Sequence, residues 1–361
     1  MTSRRYPCSA SRHRNMRFIG VVVATGTLIS TTICGAAWST GLIDFVSLAT
    51  PVIHIEDVDR FYKVYDAAGG HPTGDQLQHD YLDAGSDGLH QFAKMRNITG
   101  SRIAETLAKR PHIYADAKHC TAVLPHVRER LQEVLGKLST LYQEAKFPPV
   151  TIAVGRGKPV GVGSPAVGVM IGLEALCATS WLNPNVEDRF VRVIAHEYVH
   201  VQQVPALVDD EHPTVLEGSL VEGAGDFIAE LISGGVSYAY FPGLTKGREK
   251  EIETAFVADK DKKDLSKWLY NSTSEKPADL GYWVGYRIVK SYYLHAADKR
   301  QAIREILQMT DPNAFLAKSG WYPGIRLQES ESEHVDLTKH GMNTLGPKEQ
   351  RELKGFLNPK R

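Results

Sequence analysis

The chain is poor in cysteine, and its charges show no excess of either sign. It has four cysteines in 361 residues, and two of them, Cys8 and Cys34, lie near the N-terminus. The remaining pair, Cys120 and Cys177, is too sparse for a disulfide framework, and it could form one bridge or remain two buried thiols. Basic and acidic residues number 42 each, and a nucleic-acid-binding protein would normally carry a basic excess. We therefore expect no nucleic-acid partner.

Charge is also absent from a long segment near the start of the chain. Residues 1–37 contain five arginines and no acid, and no charged side chain occurs between Arg17 and Asp44. A basic start, an apolar run and small residues at Ala36 and Ala37 are typical of a secretory signal peptide. The uncharged run is also long enough to span a bilayer as a retained anchor. We expect an exported protein, periplasmic or extracellular, that contacts a membrane only if this segment is retained.

The rest of the chain has the pattern of one mainly helical α+β domain over residues 38–326, followed by a polar tail at 327–361. Apolar residues recur at helical spacing in much of 52–145, and helical patterns return over 236–326. Between them, residues 146–235 contain two short β-branched segments, PPVTIAVGRG and VGVMIGLE, each near Gly or Pro. These segments predict a small sheet, and two longer helices are predicted after it.

The strongest chemical signal is the sequence HEYVH at residues 196–200. It lies in a segment with Asn185 as a helix N-cap and with acids in the first turn, as expected for a helix. Residues four apart on a helix project from one face, about 6 Å apart along the axis. His196 and His200 can therefore bind one zinc ion. Glu197 would lie beside that ion, where a carboxylate can act as general base toward a water molecule.

A catalytic zinc site needs a third protein ligand and leaves one position open for water. The next predicted helix, at about 214–233, contains EGAGD, in which Glu222 could reach the metal. Asp226 follows one turn later on the same face, where it could accept a hydrogen bond from a ligating imidazole. Glu217 is the alternative ligand, but it has no acid one turn later. The sequence therefore favours Glu222.

HEYVH followed by EGAGD resembles the gluzincins, the thermolysin-like clan of zinc peptidases, whose motif pairs HExxH with E-x-x-x-D on a later helix. The resemblance implies a zincin-like core, a Zn²⁺ cofactor and hydrolysis of a peptide or protein substrate. The clan with a third histidine soon after HExxH does not fit, because Gln203 and Ala206 occupy the positions where Gly and His would be needed. Carried over to this chain, the gluzincin motif residues are His196, Glu197, His200, Glu222 and Asp226.

Most of the exported part also resembles a family of predicted, poorly characterised bacterial Zn-dependent proteases. This second resemblance extends from about Asp57 to Tyr322. Its motifs are YLDAGSDGL, VGVMIGLE, HEYVHVQQ, EGAGDFIAEL and DLGYWVGYRIVKSYY. It implies the same zinc chemistry and indicates no particular substrate.

Two further segments could contact substrate. VGVMIGLE, which contains Val169, could be the edge strand that pairs with an extended peptide, or an ordinary core strand. GYWVGYRIV places Tyr282 and Tyr286 one helical turn apart, with Arg287 adjacent, and a phenol or guanidinium there could stabilise the oxyanion of the reaction. Aromatic residues at this spacing are also typical of core packing. The resemblance favours Tyr286 as catalytic. Val169, Tyr282 and Arg287 are predicted as substrate-binding residues.

The prediction from the sequence is therefore an exported zinc metallopeptidase. Two other functions are compatible with the same residues. One is a non-catalytic zinc- or peptide-binding envelope protein, although such a protein has no use for a base beside an open metal position. The other is a zinc amidohydrolase acting on a non-peptide amide, which would use the same chemistry.

Overall fold

The computed structural model describes residues 52–273, 276 and 278–327. The predicted signal peptide at 1–37 and residues 328–361 of the predicted tail lie outside the described residues. The described part is mainly helical with one small sheet, which confirms the α+β class predicted from the sequence. Within the described ranges, no helix is both long and apolar enough to cross a membrane.

The helices over residues 56–141 follow the spacing of their apolar side chains. In the longest of them, Val127, Leu131 and Leu138 are fully buried on one face, as helical periodicity requires. A π-helical stretch, Leu77–Leu82, continues the second helix. These helices are α1 (Glu56–Ala67), α2 (Gly74–Gln76), α3 (Asp87–Arg96), α4 (Gly100–Lys109), α5 (Pro111–Cys120) and α6 (Leu124–Leu141).

The sheet has four strands: β1 (Ile53–His54), β2 (Val150–Ala153), β3 (Gly161–Ser164) and β4 (Gly168–Gly172). Their order across the sheet is β1-β2-β4-β3. β1, β2 and β4 run parallel, and β3 runs antiparallel to β4. β4 is therefore an interior strand, and β3 forms one edge of the described sheet.

The remaining helices follow β4, and the two that contain the zinc motifs begin at side-chain caps. Asn185 caps the helix that contains HEYVH, and Thr214 caps the helix that contains EGAGD. The helices are α7 (Leu173–Ala178), α8 (Val186–Gln202), α9 (Pro205–Val208), α10 (Val215–Ser233), α11 (Phe241–Thr245), α12 (Glu249–Asp259), α13 (Leu280–His295), α14 (Lys299–Leu307) and α15 (Pro312–Lys318).

Helix α10 is buried along almost its whole length between α8 and α13. Its contact with α13 is close, because a Cβ on Gly223 or Gly285 would overlap the backbone of the opposite helix. Glycine removes that obstacle and lets the two backbones approach each other. The other side of α10 then packs directly against the motif helix α8.

Cys120 at the end of α5 and Cys177 in α7 form a disulfide, with their Cα atoms 6.3 Å apart. This separation is normal for a bridge. The sequence left open either one bridge or two buried thiols, and in the structure the two cysteines form the bridge.

Candidate metal centre

The three predicted ligands converge on one point between α8 and α10. The Nε2 atoms of His196 and His200 are 3.0 Å apart. The Oε2 atom of Glu222 lies 3.1 Å from the first of these nitrogens and 3.3 Å from the second. All three residues are buried. Within the described residues, they are the one group of three or more His, Cys, Asp or Glu side chains whose ligand atoms lie close enough together to hold a metal ion.

Both imidazoles are oriented from behind by an acceptor. His196 Nδ1 lies 2.9 Å from Asp226 Oδ1, and His200 Nδ1 lies 2.7 Å from Gln203 Oε1. With Nδ1–H donating to an oxygen, the neutral form of each imidazole keeps the lone pair of Nε2 for a cation. Gln203 is held in turn by its amide, which donates to the carbonyl of Val221 at 2.9 Å. Sequence reasoning found Asp226 and missed Gln203.

The rival ligand Glu217 has another role. Its carboxylate accepts from the backbone N–H of Thr214 at 2.6 Å, and its own N–H donates to the Thr214 hydroxyl at 3.2 Å. This reciprocal capping box stabilises the first turn of α10. Glu217 is therefore a cap, and Glu222 is the residue that meets the two histidines.

Gly225, between the two acids of EGAGD, makes room for the first histidine. A Cβ at this position would lie 2.6 Å from Cε1 and 2.8 Å from Nδ1 of His196, closer than two such atoms can approach. We expect Gly225→Ala to displace the imidazole, weaken zinc binding by about 10-fold or more and destabilise the fold by about 1–3 kcal/mol through overpacking. Zinc titration and thermal unfolding measure both effects.

Gly243→Ala is the matched control for this prediction. Gly243 has no heavy atom within 4 Å of an added Cβ, so the same substitution there adds a methyl group to open space. An equal loss of zinc affinity in both variants would contradict the packing argument.

Glu197 is 8% exposed and lies beside the ligand group, beneath the edge strand β3. A Cβ on Gly161 would overlap its carboxylate, and one on Gly163 would overlap its backbone carbonyl. The two glycines therefore let β3 lie directly on α8. Burial raises the pKa of Glu197, and the positive charges of His196 and His200 oppose that rise.

Glu222 is ionised despite its burial. Burial alone would raise the pKa of this carboxyl, but the charge of His200 and hydrogen bonds from both imidazoles hold it well below its usual range. When the two Nε2 atoms lose their protons, this carboxylate and the two nitrogens form a donor set suited to a divalent cation.

The structure corrects the prediction for Val169. This residue is 1% exposed, and it lies in the interior strand β4, opposite Val150 on one side and Gly163 on the other. Its backbone is not available to pair with a peptide. The edge strand on this side of the sheet is β3, which sequence reasoning passed over because GVGS lacks the β-branched run of a typical strand.

The free edge of β3 faces the cleft that contains Glu197. Gly172 N–H donates to Val160 C=O at 3.0 Å. Since hydrogen-bonded and non-bonded pairs alternate in an antiparallel ladder, the N–H and C=O groups of Gly161 and Gly163 point away from β4. Gly161 is half-buried and Gly163 is buried, so the groups of Gly161 are the accessible ones for an added strand.

The structure does not bring Tyr286 to the ligand group. Its hydroxyl donates to Glu230 Oε2 at 2.6 Å and accepts from Lys290 Nζ at 2.7 Å, in a buried network between α10 and α13. Arg287 is likewise engaged elsewhere, since its Nε donates to the fully buried Glu253 at 2.6 Å. Both predicted roles are corrected accordingly, because the two side chains serve helix packing.

Tyr282 does lie at the candidate metal centre. Its ring is buried and stacks against the His196 imidazole, with ring centroids 6.3 Å apart. A second ring, that of Tyr270, meets Tyr282 edge-on at 6.0 Å. Tyr282 therefore supports a ligand and forms part of the cleft wall.

Tyr270 was not found by sequence reasoning. It lies in the connection between α12 and α13 and is 64% exposed, yet its hydroxyl donates to Glu222 Oε1 at 2.7 Å. Burial of this hydroxyl end and the charge of Glu222 raise its pKa, so it remains a proton donor at neutral pH. No periodic pattern indicates an isolated tyrosine in a loop.

Residues 174–315 match the model of a family described as predicted Zn-dependent protease (DUF2268). The match covers less than half of the chain, but it includes every residue of the ligand group. Over this segment it confirms the resemblance to the poorly characterised Zn-dependent proteases. No curated protein and no solved structure matches the chain.

Proposed function

We propose that this protein is a zinc metallopeptidase in which His196, His200 and Glu222 hold the metal and Glu197 is the general base. The observation that carries the proposal is the convergence of three ligand atoms beside a buried carboxylate, in a cleft bordered by a free strand edge. The family description supports zinc dependence and protease activity.

The donor set fits zinc in kind and in spacing. Two imidazole nitrogens and one carboxylate oxygen are a ligand set of catalytic zinc sites, which keep a fourth position open. Bonds of about 2.0–2.2 Å at tetrahedral angles place ligand atoms about 3.3–3.5 Å apart. The three separations found here, 3.0, 3.1 and 3.3 Å, need only small adjustments to reach that spacing.

The residues around the ligands have separate roles in the proposed hydrolysis. Zinc bound there would supply a Lewis acid that polarises the scissile carbonyl and lowers the pKa of the attacking water. Glu197 accepts the proton of that water and returns it to the leaving amine nitrogen. The Tyr270 hydroxyl, once it turns from Glu222 Oε1, donates a hydrogen bond to the oxygen of the tetrahedral intermediate.

The β3 edge is the element that we expect to hold the substrate. An extended peptide can add to it as another strand, accepting from the N–H group of Gly161 and donating to its carbonyl. Such pairing recognises the backbone of any peptide. It places the peptide next to Glu197, which lies beneath Gly161 and Gly163.

Tyr270→Phe tests the oxyanion assignment. We expect the turnover number to fall by roughly 10²-fold or more, with zinc content unchanged, because one hydrogen-bond donor to the oxyanion is lost. Steady-state kinetics on a cleaved peptide measure this effect. Tyr286→Phe is the comparison: a larger fall in that variant would favour the assignment made from the sequence and contradict the one made here.

We also propose that the protein is exported. The basic and uncharged N-terminal segment supports this, as does the disulfide between Cys120 and Cys177, since such bonds persist in oxidising compartments. Mass spectrometry of the mature protein is expected to find its N-terminus near Ala36 to Trp38. Recovery of intact Met1–Arg17 in a washed membrane fraction would indicate a retained anchor instead.

A further inference from the structure

Arg96 is an arginine in the cleft that the mechanism does not use. It is the last residue of α3, its side chain is exposed, and it lines the same cleft as Glu197 and Tyr270. Among the described residues, its guanidinium has no hydrogen bond and no ion pair. An arginine with all its donors free beside a reaction centre is available to a ligand.

The positive charge of Arg96 affects the pKa values of two residues that carry out the proposed reaction. Burial raises the pKa of Glu197, and Arg96 is among the positive charges that oppose the rise. Burial and Glu222 raise the pKa of Tyr270, and Arg96 opposes that rise too. Arg96 therefore acts electrostatically on both groups, and its side chain lines the cleft that contains them.

The backbone beneath Arg96 is held in place by a second arginine. Arg156 donates from Nε and Nη2 to the Arg96 carbonyl, at 3.2 and 3.1 Å. Asn97, in the left-handed conformation, ends α3 directly afterwards, and Arg102 donates to its carbonyl at 3.1 Å. The chain thus fixes the base of the Arg96 side chain while leaving the guanidinium free.

The cleft is lined by charges of both signs, with acids such as Asp210 and Glu211 as well as a group of cations that includes Arg96. Arg110, Arg156 and Lys158 line the cleft beside Arg96, and within the part of the chain that the structure describes none of the four pairs with a carboxylate. Other arginines at the cleft are paired, as with Arg192 and Asp188 at 3.2 Å. Four unpaired cations repel one another, and an anionic ligand relieves that repulsion.

We propose that this cleft selects substrates with a carboxylate close to the scissile bond and that Arg96 binds this carboxylate through charge-assisted hydrogen bonds. The inference rests on the proposed peptidase function and names its substrate class. The carboxylate belongs either to a Glu or Asp side chain or to the C-terminus of the peptide, and the two sources share the same chemistry.

Two pairs of peptides distinguish these sources. The first pair has both ends blocked and differs only by Glu or Gln near the cleaved bond. The second pair has a neutral sequence and ends in a free carboxylate or an amide. Cleavage by the full-length zinc enzyme is compared within each pair as a ratio of kcat/KM, and binding is compared in zinc-loaded Glu197→Gln. We expect a preference of roughly 10- to 100-fold for the carboxylate in one pair or both.

Arg96→Ala is expected to bring that ratio close to one, and added salt is expected to lower it. A general folding defect would weaken both members of a pair equally and leave the ratio unchanged. Lys94→Ala is the matched control, because it removes a cation from the same helix outside the cleft lining. It is expected to leave the ratio as in the wild type.

The outcomes separate this inference from the function on which it rests. Carboxylate-selective binding that depends on Arg96, without any cleavage, would refute the peptidase function and support the recognition site. Cleavage without a preference in either pair, or with a preference that survives in Arg96→Ala, would overturn the inference alone. Absence of both binding and cleavage for all four peptides would overturn both.

Discussion

Replacing Glu197 with glutamine is expected to lower the turnover number by about 10²–10⁴-fold, the usual cost of losing a general base. Glutamine keeps the shape of the side chain and can still hydrogen-bond to a water molecule, but it cannot accept a proton at neutral pH. The three ligands are untouched, so zinc content and thermal stability should stay close to those of the wild type. Steady-state kinetics together with metal analysis measure these quantities on the same preparation.

Glu129→Gln is the control for this variant, because Glu129 is an exposed acid on α6, away from the ligand group. It undergoes the same chemical change without affecting the proposed base. Wild-type turnover by Glu197→Gln on every cleaved substrate would rule out the mechanism. Such a result would require a general base other than Glu197.

Removing a ligand is expected to abolish zinc binding and activity together. His200→Ala and Glu222→Ala each leave two of the three protein ligands, and both should lose the metal during dialysis. Asp226→Ala and Gln203→Ala keep all three ligands but release one imidazole from its hydrogen bond. We expect these two variants to bind zinc about 10–100-fold more weakly.

Competition with a chelator measures the zinc affinity of each variant, and thermal unfolding gives an independent readout. A metal that binds the folded state stabilises it by about 2.7 kcal/mol at 100 times its dissociation constant. Zinc should therefore raise the melting temperature of the wild type and leave that of His200→Ala unchanged. Equal zinc affinity in Glu222→Ala and the wild type would return Glu217 or another acid to consideration.

The parts of the site that lie within one helix could be predicted from the sequence. His196 and His200 share a helix face by spacing alone, and the same holds for Glu222 and Asp226. The structure brings these two pairs together, with a hydrogen bond of 2.9 Å between His196 Nδ1 and Asp226 Oδ1. A helical pattern determines such relations locally, whatever the remainder of the fold.

The parts that depend on distant pairing could not be predicted in this way. Which strand forms an edge is decided by the order of strands in the sheet, and the pattern around Val169 is the same for an interior strand and for an edge strand. Tyr286 has the spacing of a helix residue that could face either the cleft or the core. Tyr270 belongs to a loop, where no periodicity shows which way a side chain points.

The central claim is that two imidazoles from α8 and one carboxylate from α10 hold a zinc ion. X-ray absorption at the zinc edge of the purified full-length protein tests it most directly. The claim predicts nitrogen and oxygen scatterers at about 2.0–2.2 Å, the outer-shell signal of two imidazoles, and no sulfur at about 2.3 Å. Sulfur ligation, or an imidazole signal that is unchanged in His196→Ala, would contradict it.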